Sequence, residues 1–329
     1  MSKIFHVGID IGSTTVKLVV LNRQHEIIYS KYERHYADIR KKLWEILQGA
    51  VDIIKDAKAT VMITGSGGIG IARDLGVPFT QEVIASTKAI KTYYPKTDVA
   101  IELGGEDAKI TYFNDGVDQR MNGTCAGGTG SFIDQMATLM KVDASGLNEL
   151  ARNHKVIYPI AARCGVFAKT DVQPLLNEGV AREDIAASVL QAVVIQTISG
   201  LACGRPIRGN IAFLGGPLYF LSELRKRFIE TLQLTPEQAI FPENSQLFVA
   251  LGAALSSLNE QPVHYKTFLA ELDAFGKTAI RETNTLEPLF SEPAEYAQFK
   301  ARHQKNTVKR RDLAGFTGNC YLGIDAGST

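Results

Sequence analysis

Cysteine is scarce in this 329-residue chain: Cys125, Cys164, Cys203 and Cys320 are the only four. They are too few and too scattered for a disulfide scaffold, and no CxxC pair points to a zinc ribbon or thioredoxin-type site. Charge of one sign is lacking too, with 36 Lys and Arg against 35 Asp and Glu and a net charge of +1. That balance argues against nucleic acid or an anionic membrane as a field-driven partner. No leader is expected, because Lys3 precedes any apolar run. The most apolar later stretch, Ala186 to Leu201, is interrupted by Gln191, Gln196, Thr197 and Ser199, and it reads as too short and too polar to cross a bilayer. A cytoplasmic, reducing setting is the resulting expectation. Two common nucleotide fingerprints are also missing. There is no GxxxxGK[ST] loop, and no GxGxxG opens the first helix.

What is present suits a globular protein. Hydrophobic residues make up 45% and charged residues 22% of the chain, enough for a real core. The length is about twice that of a single domain, so two domains or one bilobed fold are expected. Glycine is enriched, at 29 residues. Strands are predicted over Ile4–Ile11, Val16–Asn22 and Glu26–Lys31, then a helix from Ile39 to Ala57 and a short strand, Thr60–Thr64. The pattern then restarts with Val99–Leu103, Ala108–Phe113, an Asn114-Asp115-Gly116 turn and Val117–Met121. Helical periods follow at Gly130–Met140, Val166–Asn177, Arg182–Cys203, Leu218–Leu232 and Leu247–Ser257, with a strand at Asn210–Leu214. Two strand-turn-strand halves followed by helices suggest one unit used twice.

Three glycine clusters follow strands. In Asp10-Ile-Gly-Ser-Thr-Thr-Val-Lys17, Gly12, Ser13, Thr14 and Thr15 can surround phosphate oxygens with amides and hydroxyls. Asp10 there could hold a hydrated divalent cation, and Lys17 could counter phosphate charge. Glu102-Leu-Gly-Gly-Glu-Asp-Ala-Lys109, with Gly104, Gly105 and Asp107, repeats the arrangement in the second half. The third, Phe213-Leu-Gly-Gly-Pro217, ends a strand in Gly215, Gly216 and Pro217, where flat backbone suits an adenine or ribose face. Taken singly, the first is also compatible with a plain hairpin and the third with a helix entry. In this order the three resemble the phosphate-1, phosphate-2 and adenosine motifs of the actin-like ATPase superfamily. That resemblance implies an α/β fold of two ribonuclease-H-like lobes with the nucleotide in the cleft.

Two further segments narrow the resemblance. Met121-Asn-Gly-Thr-Cys-Ala-Gly-Gly-Thr-Gly-Ser-Phe132 and Ala162-Arg-Cys-Gly-Val-Phe-Ala-Lys-Thr-Asp171 look like signatures of the ATP-dependent activators of 2-hydroxyacyl-CoA dehydratases and benzoyl-CoA reductases. The resemblance covers roughly residues 4–258. It implies ATP/ADP and Mg2+ in the cleft, with Asp10, Glu102 and Asp107 organising the metal and attacking water. It also implies a [4Fe-4S] cluster ligated by Cys125 and Cys164 of each of two subunits. Residues such as Gly128 would let backbone amides approach the sulfides. Helix starts after both cysteines agree with this, because free amides and the positive dipole end favour thiolates. Cys203 and Cys320 are expected to be non-ligands. The implied acceptor is an Fe–S dehydratase or reductase, and the implied donor is ferredoxin or flavodoxin.

The chain departs from the family pattern at Glu102, where Asp is usual, at Glu106, where Gln is common, and at Lys169, where an acid is expected. Glu102's extra methylene moves its carboxylate by roughly 1.5 Å. The closing Tyr321-Leu-Gly-Ile-Asp-Ala-Gly-Ser-Thr329 repeats the opening phosphate motif, so a second, truncated ATPase repeat is expected there, as in the large multi-repeat activases. Pairing across the cluster would then be a homodimer or an intramolecular repeat pair. The expected domains are lobe I at 1–95, lobe II at 96–245, a returning helix at 246–258, a linker at 259–320 and the repeat start at 321–329. The basic run from Lys300 to Arg311 reads as solvated linker, with a partner site as the other reading. The rival functions are a sugar-kinase-like phosphotransferase and a non-enzymatic actin-like regulator.

Overall fold

The computed structural model describes residues 3–114, 116–123, 126–162, 164–276 and 286–326. They fall into a large unit, residues 1–277, and a small one, residues 278–329. Asp115 of the expected hairpin turn, Arg163 of the second cysteine motif and residues 327–329 of the repeated motif lie outside the described residues, as does Cys125.

The large unit opens with three antiparallel strands, β1 (Ile4–Ile11), β2 (Thr15–Leu21) and β3 (Ile27–Arg34). β1 and β2 are apolar on both faces and are buried on both. Their register sets Asp10 opposite Lys17. The expected helix from Ile39 to Ala57 is split at Gly49–Ala50 into α1 (Ile39–Gln48) and α2 (Val51–Ile54), the weakest helix-forming point being the glycine. β4 (Lys58–Thr64) returns parallel to β1, and α3 (Gly68–Asp74) and α4 (Glu82–Tyr93) follow.

The second lobe repeats the plan with β5 (Val99–Leu103), β6 (Ala108–Tyr112) and β7 (Asp118–Met121). Register here sets Glu102 opposite Lys109, the same acid-over-lysine pairing as in the first hairpin. Next come α5 (Gly130–Leu139), α6 (Ala144–Ala151), α7 (Gly165–Asn177) and α8 (Arg182–Thr197), which ends in a π turn, Ile198–Ala202. β8 (Ile211–Leu214) is parallel to β5, and β9 (Ala239–Ile240) is parallel to β8. The expected helix 218–232 is instead two, α9 (Gly216–Phe220) and α10 (Ser222–Leu232), broken where Leu221 is extended. The sheet order is β7-β6-β5-β8-β9.

The chain then returns to the first lobe through α11 (Phe248–Ser256), β10 (Val263–His264) and α12 (Tyr265–Gly276), giving the sheet order β10-β4-β1-β2-β3. This corrects the expected linker start at 259. β10 pairs with β4, and Tyr265, Phe268 and Leu272 of α12 are buried in the core beside Leu43 and Leu47 of α1. Prolines nearby hid a helix whose apolar residues have the right period. α11 lies against β1 so closely that a Cβ on Gly8 would collide with the backbone of Ala250 and Ala254.

By length and composition the 21-residue stretch Arg182–Ala202 would pass for a membrane span, contrary to the expectation that it is too short and polar. Its apolar residues, including Ile185, Val189 and Val193, are spent inside the core of lobe II instead. In the small unit, α13 (Pro293–Gln304) begins with a capping box between Glu292 and Glu295. Its basic residues, and residues 321–326 of the repeated motif, are exposed.

Candidate active site

Both hairpin turns open onto one cavity of about 250 Å³. Asp10, Gly12, Ser13, Thr14, Thr15 and Lys17 line one side, Glu102, Gly104, Gly105 and Asp107 the other, and Gly215 and Gly216 a third. The turns touch: a Cβ on Gly105 would collide with the side chain of Thr14. Gly215 has φ +90°, and a Cβ there would strike the Leu103 backbone, so only glycine lets β8 turn beside β5. Pro217 lines an adjoining cavity of about 140 Å³. Gly128 stands apart, with φ +79°, against Gln196 and Thr197 at the end of α8.

Charge in the cavity is arranged as two lysine-centred clusters. Lys17 Nζ donates to Asp10 Oδ2 at 2.7 Å. Burial opposes the lysine's charge, but Asp10, with Tyr32 and Glu102, outweighs it and raises the pKa. Lys109 is buried and pairs with Glu82, Asp107 and, at 3.5 Å, Glu102. Burial again opposes its charge, and the three carboxylates hold the ammonium well above the usual lysine range. Burial pushes the Glu82 carboxyl up, partly countered by Lys109. Burial also disfavours the Asp107 anion, yet Lys109 brings its pKa below the ordinary value.

Asp10 Oδ1 is buried without a hydrogen-bond partner. Such an orphaned carboxylate oxygen at a phosphate turn fits a water ligand of Mg2+, which is held through one or two carboxylates plus substrate phosphates rather than an all-protein cage. Among the described residues, no group of three or more His, Cys, Asp or Glu is arranged to hold a metal ion directly.

The adjoining cavity has walls that suit a base. Ile133 and Ala144 come from lobe II helices, Pro217 and Phe220 from α9, and Tyr32 from lobe I. Tyr32 meets Phe220 edge-on at 5.5 Å. Arg34 on β3 and Asp134 on α5 are also in its lining, joined by a 2.9 Å ion pair across the lobes.

From the second turn the chain runs directly to the cysteine region. The amides of Gly130 and Ser131, which open α5, donate to the carbonyls of Gly104 and Gly105 at 3.0 and 2.7 Å. Cys164 caps α7, accepting the Val166 N–H on its Sγ at 3.4 Å. Gly165 rests on α5, where a Cβ would come within 3.0 Å of Gln135 Oε1. Asp171, the last residue of the second cysteine motif, accepts the Ala161 N–H at 2.7 Å and so ties the approach to Cys164 onto α7. Cys164 is half-buried, while Val166 and Phe167 beside it are exposed.

Sequence reasoning misses Glu82, Tyr32, Arg34 and Asp134, and gives Lys109 no role. Helix α4 was missed altogether, although Ala85, Ala89 and Ile90 behind Glu82 have helical spacing. The same seven-residue interval from acid to lysine in both turns was a readable signal for Lys109.

Residues 7–257 match the model of the BadF/BadG/BcrA/BcrD ATPase family. A 2-hydroxyisocaproyl-CoA dehydratase activator of Clostridioides difficile is 30% identical over 263 residues, covering 78% of this chain and 96% of that protein. The crystal structure of component A of the (R)-2-hydroxyglutaryl-CoA dehydratase of Acidaminococcus fermentans superposes with a TM-score of 0.68 at 26% identity, over 80% of this chain and 99% of that one. The activator of the Clostridium difficile 2-hydroxyisocaproyl-CoA dehydratase, with bound ADPNP, gives 0.67 at 25% identity, over 85% and 100%. The fold is the actin-like one, and the chain belongs to the BadF/BadG/BcrA/BcrD ATPase family.

Proposed function

We propose that this ATPase is an activator that couples ATP hydrolysis to delivery of one electron to a partner Fe–S dehydratase or reductase acting on a CoA ester. The observation that carries the reading is the continuity of one helix. α5 is hydrogen-bonded at its first turn to the Gly104 and Gly105 carbonyls and carries Gly165, next to Cys164, on its side. A change at the γ-phosphate therefore has a packed route to the cysteine-bearing segment.

Each residue then has a task. The amides and hydroxyls of Gly12 to Thr15, with Gly104 and Gly105, hold the phosphates, and Lys17 offsets their charge. Asp10, Glu102 and Asp107 orient the water shell of Mg2+ and the attacking water. Lys109 keeps the carboxylates of Glu82, Glu102 and Asp107 in place. Gly215, Gly216 and Pro217 carry the nucleoside. Cys164, a helix-capping thiol beside exposed apolar residues, suits a cluster ligand shared with a second copy or repeat, with Cys125 as the other ligand from this chain. A [4Fe-4S] group bound there would supply one-electron chemistry at low potential. Ferredoxin or flavodoxin would be the donor. Two thiolates per chain leave two to be supplied by a homodimer partner or a tandem repeat.

Anaerobic reconstitution with iron and sulfide, read by visible absorption and electron paramagnetic resonance, tests this. The expected result is a [4Fe-4S] signal that is lost in Cys125→Ser and in Cys164→Ser. A protein that hydrolyses ATP yet takes up no cluster would sink the redox half of the reading.

A further inference from the structure

Carboxylates converging from separate elements are the usual ligand set of a hard divalent cation. In this cavity such a set surrounds an amino group of the chain itself. The Lys109 ammonium is bracketed by Glu82 at the start of α4, Glu102 on β5 and Asp107 in the second phosphate turn. The lysine side chain is only 5% exposed, and all four residues line the phosphate cavity. The outer oxygens of the two glutamates are engaged as well. Glu82 Oε1 accepts the Ser66 N–H at 3.1 Å, and Glu102 Oε2 accepts the Ser86 hydroxyl at 3.2 Å. Asp10 differs, because its buried Oδ1 has no hydrogen-bond partner.

We propose that Lys109 is a built-in cation that shuts free divalent ions out of this carboxylate nest, so that Mg2+ enters the cavity only together with the nucleotide. The inference rests on the reading that ATP binds here and adds an order of binding to it. A metal ion could reach the three carboxylates only by displacing the ammonium. A buried charge stripped of its partners is strongly destabilising, which opposes that exchange. Asp10 Oδ1 keeps capacity for a metal-bound water, but one carboxylate is too few. Mg2+ retains several waters and is held through one or two carboxylates plus substrate phosphates. The nucleotide supplies those phosphates, so metal and polyphosphate arrive as one unit.

Equilibrium dialysis of the full chain against Mn2+ tests this, with ADP either absent or equal on both sides of the membrane. Mn2+ takes the same oxygen ligands as Mg2+, and the excess on the protein side counts the metal held. The wild-type protein should hold Mn2+ at least about tenfold more weakly without ADP than with it. Without ADP, Lys109→Met should bind Mn2+ at least about tenfold more tightly than the wild type, through the carboxylates it frees. Adding Glu82→Gln to that variant should remove most of the gain. Equal Mn2+ binding by the wild-type protein with and without ADP would overturn the inference, and this arm stands even if Lys109→Met does not fold. A folded Lys109→Met that binds Mn2+ no better than the wild type would overturn it too. So would a gain that Glu82→Gln leaves untouched, since the metal would then sit elsewhere. ADP that brings no Mn2+ to the wild-type protein would overturn the nucleotide-site reading, and this inference with it.

Discussion

The Ser131 amide donates a 2.7 Å hydrogen bond to the carbonyl of Gly105. Gly105, which lines the phosphate cavity, thus also accepts from the first turn of α5. Any shift of that turn with nucleotide state is passed to the start of α5.

Gly105→Ala tests this junction. The added methyl meets the Thr14 side chain, and overpacking of this kind costs about 1–3 kcal/mol. ATP hydrolysis should fall at least about tenfold, because displacing the turn misaligns the phosphates. Adding Thr14→Ala removes the two nearest obstructing atoms and leaves Cβ at 3.1 Å, so the melting temperature should recover in part while hydrolysis stays low. Unchanged hydrolysis in Gly105→Ala would mean that the turn does not position phosphate.

Lys109→Met leaves Glu82, Glu102 and Asp107 facing one another without their shared cation. Breaking a buried pair on one side costs about 3 kcal/mol, which thermal denaturation would show. Millimolar Mg2+ should restore part of the loss in the variant and add little to the wild-type protein. As for pH, the lysine's pKa is raised in the folded state. Its contribution is therefore complete below the unfolded lysine pKa of about 10.4 and is lost only as pH rises through the higher folded value. The wild-type protein should accordingly show no loss from this cluster on going from pH 7 to 9. A variant as stable as the wild type would remove the lysine from its place at the centre of the site.

Tyr265 tests where lobe I ends. The side chain is fully buried, and its hydroxyl donates to the Leu47 carbonyl at 2.7 Å. Tyr265→Phe should cost about 1 kcal/mol by removing that hydrogen bond, the carbonyl keeping the Ala50 N–H at 3.0 Å, and Tyr265→Ala about 3–5 kcal/mol through the cavity as well. Chemical denaturation of the two variants gives both numbers. A chain ending at 258, lacking β10 and α12, should be markedly less soluble than one ending at 276. Equal behaviour of the two would restore the earlier boundary.

Much of this was readable in the residues. The three glycine turns follow apolar strands, and turn chemistry is local, so their positions and their convergence on one cavity follow from short stretches of sequence. The lobes repeat the same strand order, as the two strand-turn-strand halves suggested. Boundaries were less legible. Gly49 and Leu221 interrupt helices whose apolar period continues through the break, because periodicity reports burial and not continuity. Glu82, Arg34 and Asp134 were not legible as site residues, since each reaches the cleft from an element far away in the chain. Arg34 and Asp134 meet only because β3 and α5 face each other across the lobes, a juxtaposition with no local signature. Glu102, where the resemblance leads one to expect Asp, accepts from the Ser86 hydroxyl at 3.2 Å while lying near Lys109. The added reach is thus taken up by partners on α4 and β6.

The seam between α11 and its neighbours bears on how such a molecule moves. On one side Gly8 and Gly252 bring α11 into backbone contact with β1 and α4, leaving no side chains that could yield. On the other, it shares a core with Ala100, Ala212 and Leu214 of lobe II, against which Phe113 and Ile240 pack partly buried. A helix held by backbone on one edge and by side chains on the other can adjust on the second edge alone, since side chains repack and backbone contacts do not. Lobe I, its phosphate turn and α11 should then behave as one body, with any change in cleft opening taken up among the side chains on the lobe II side.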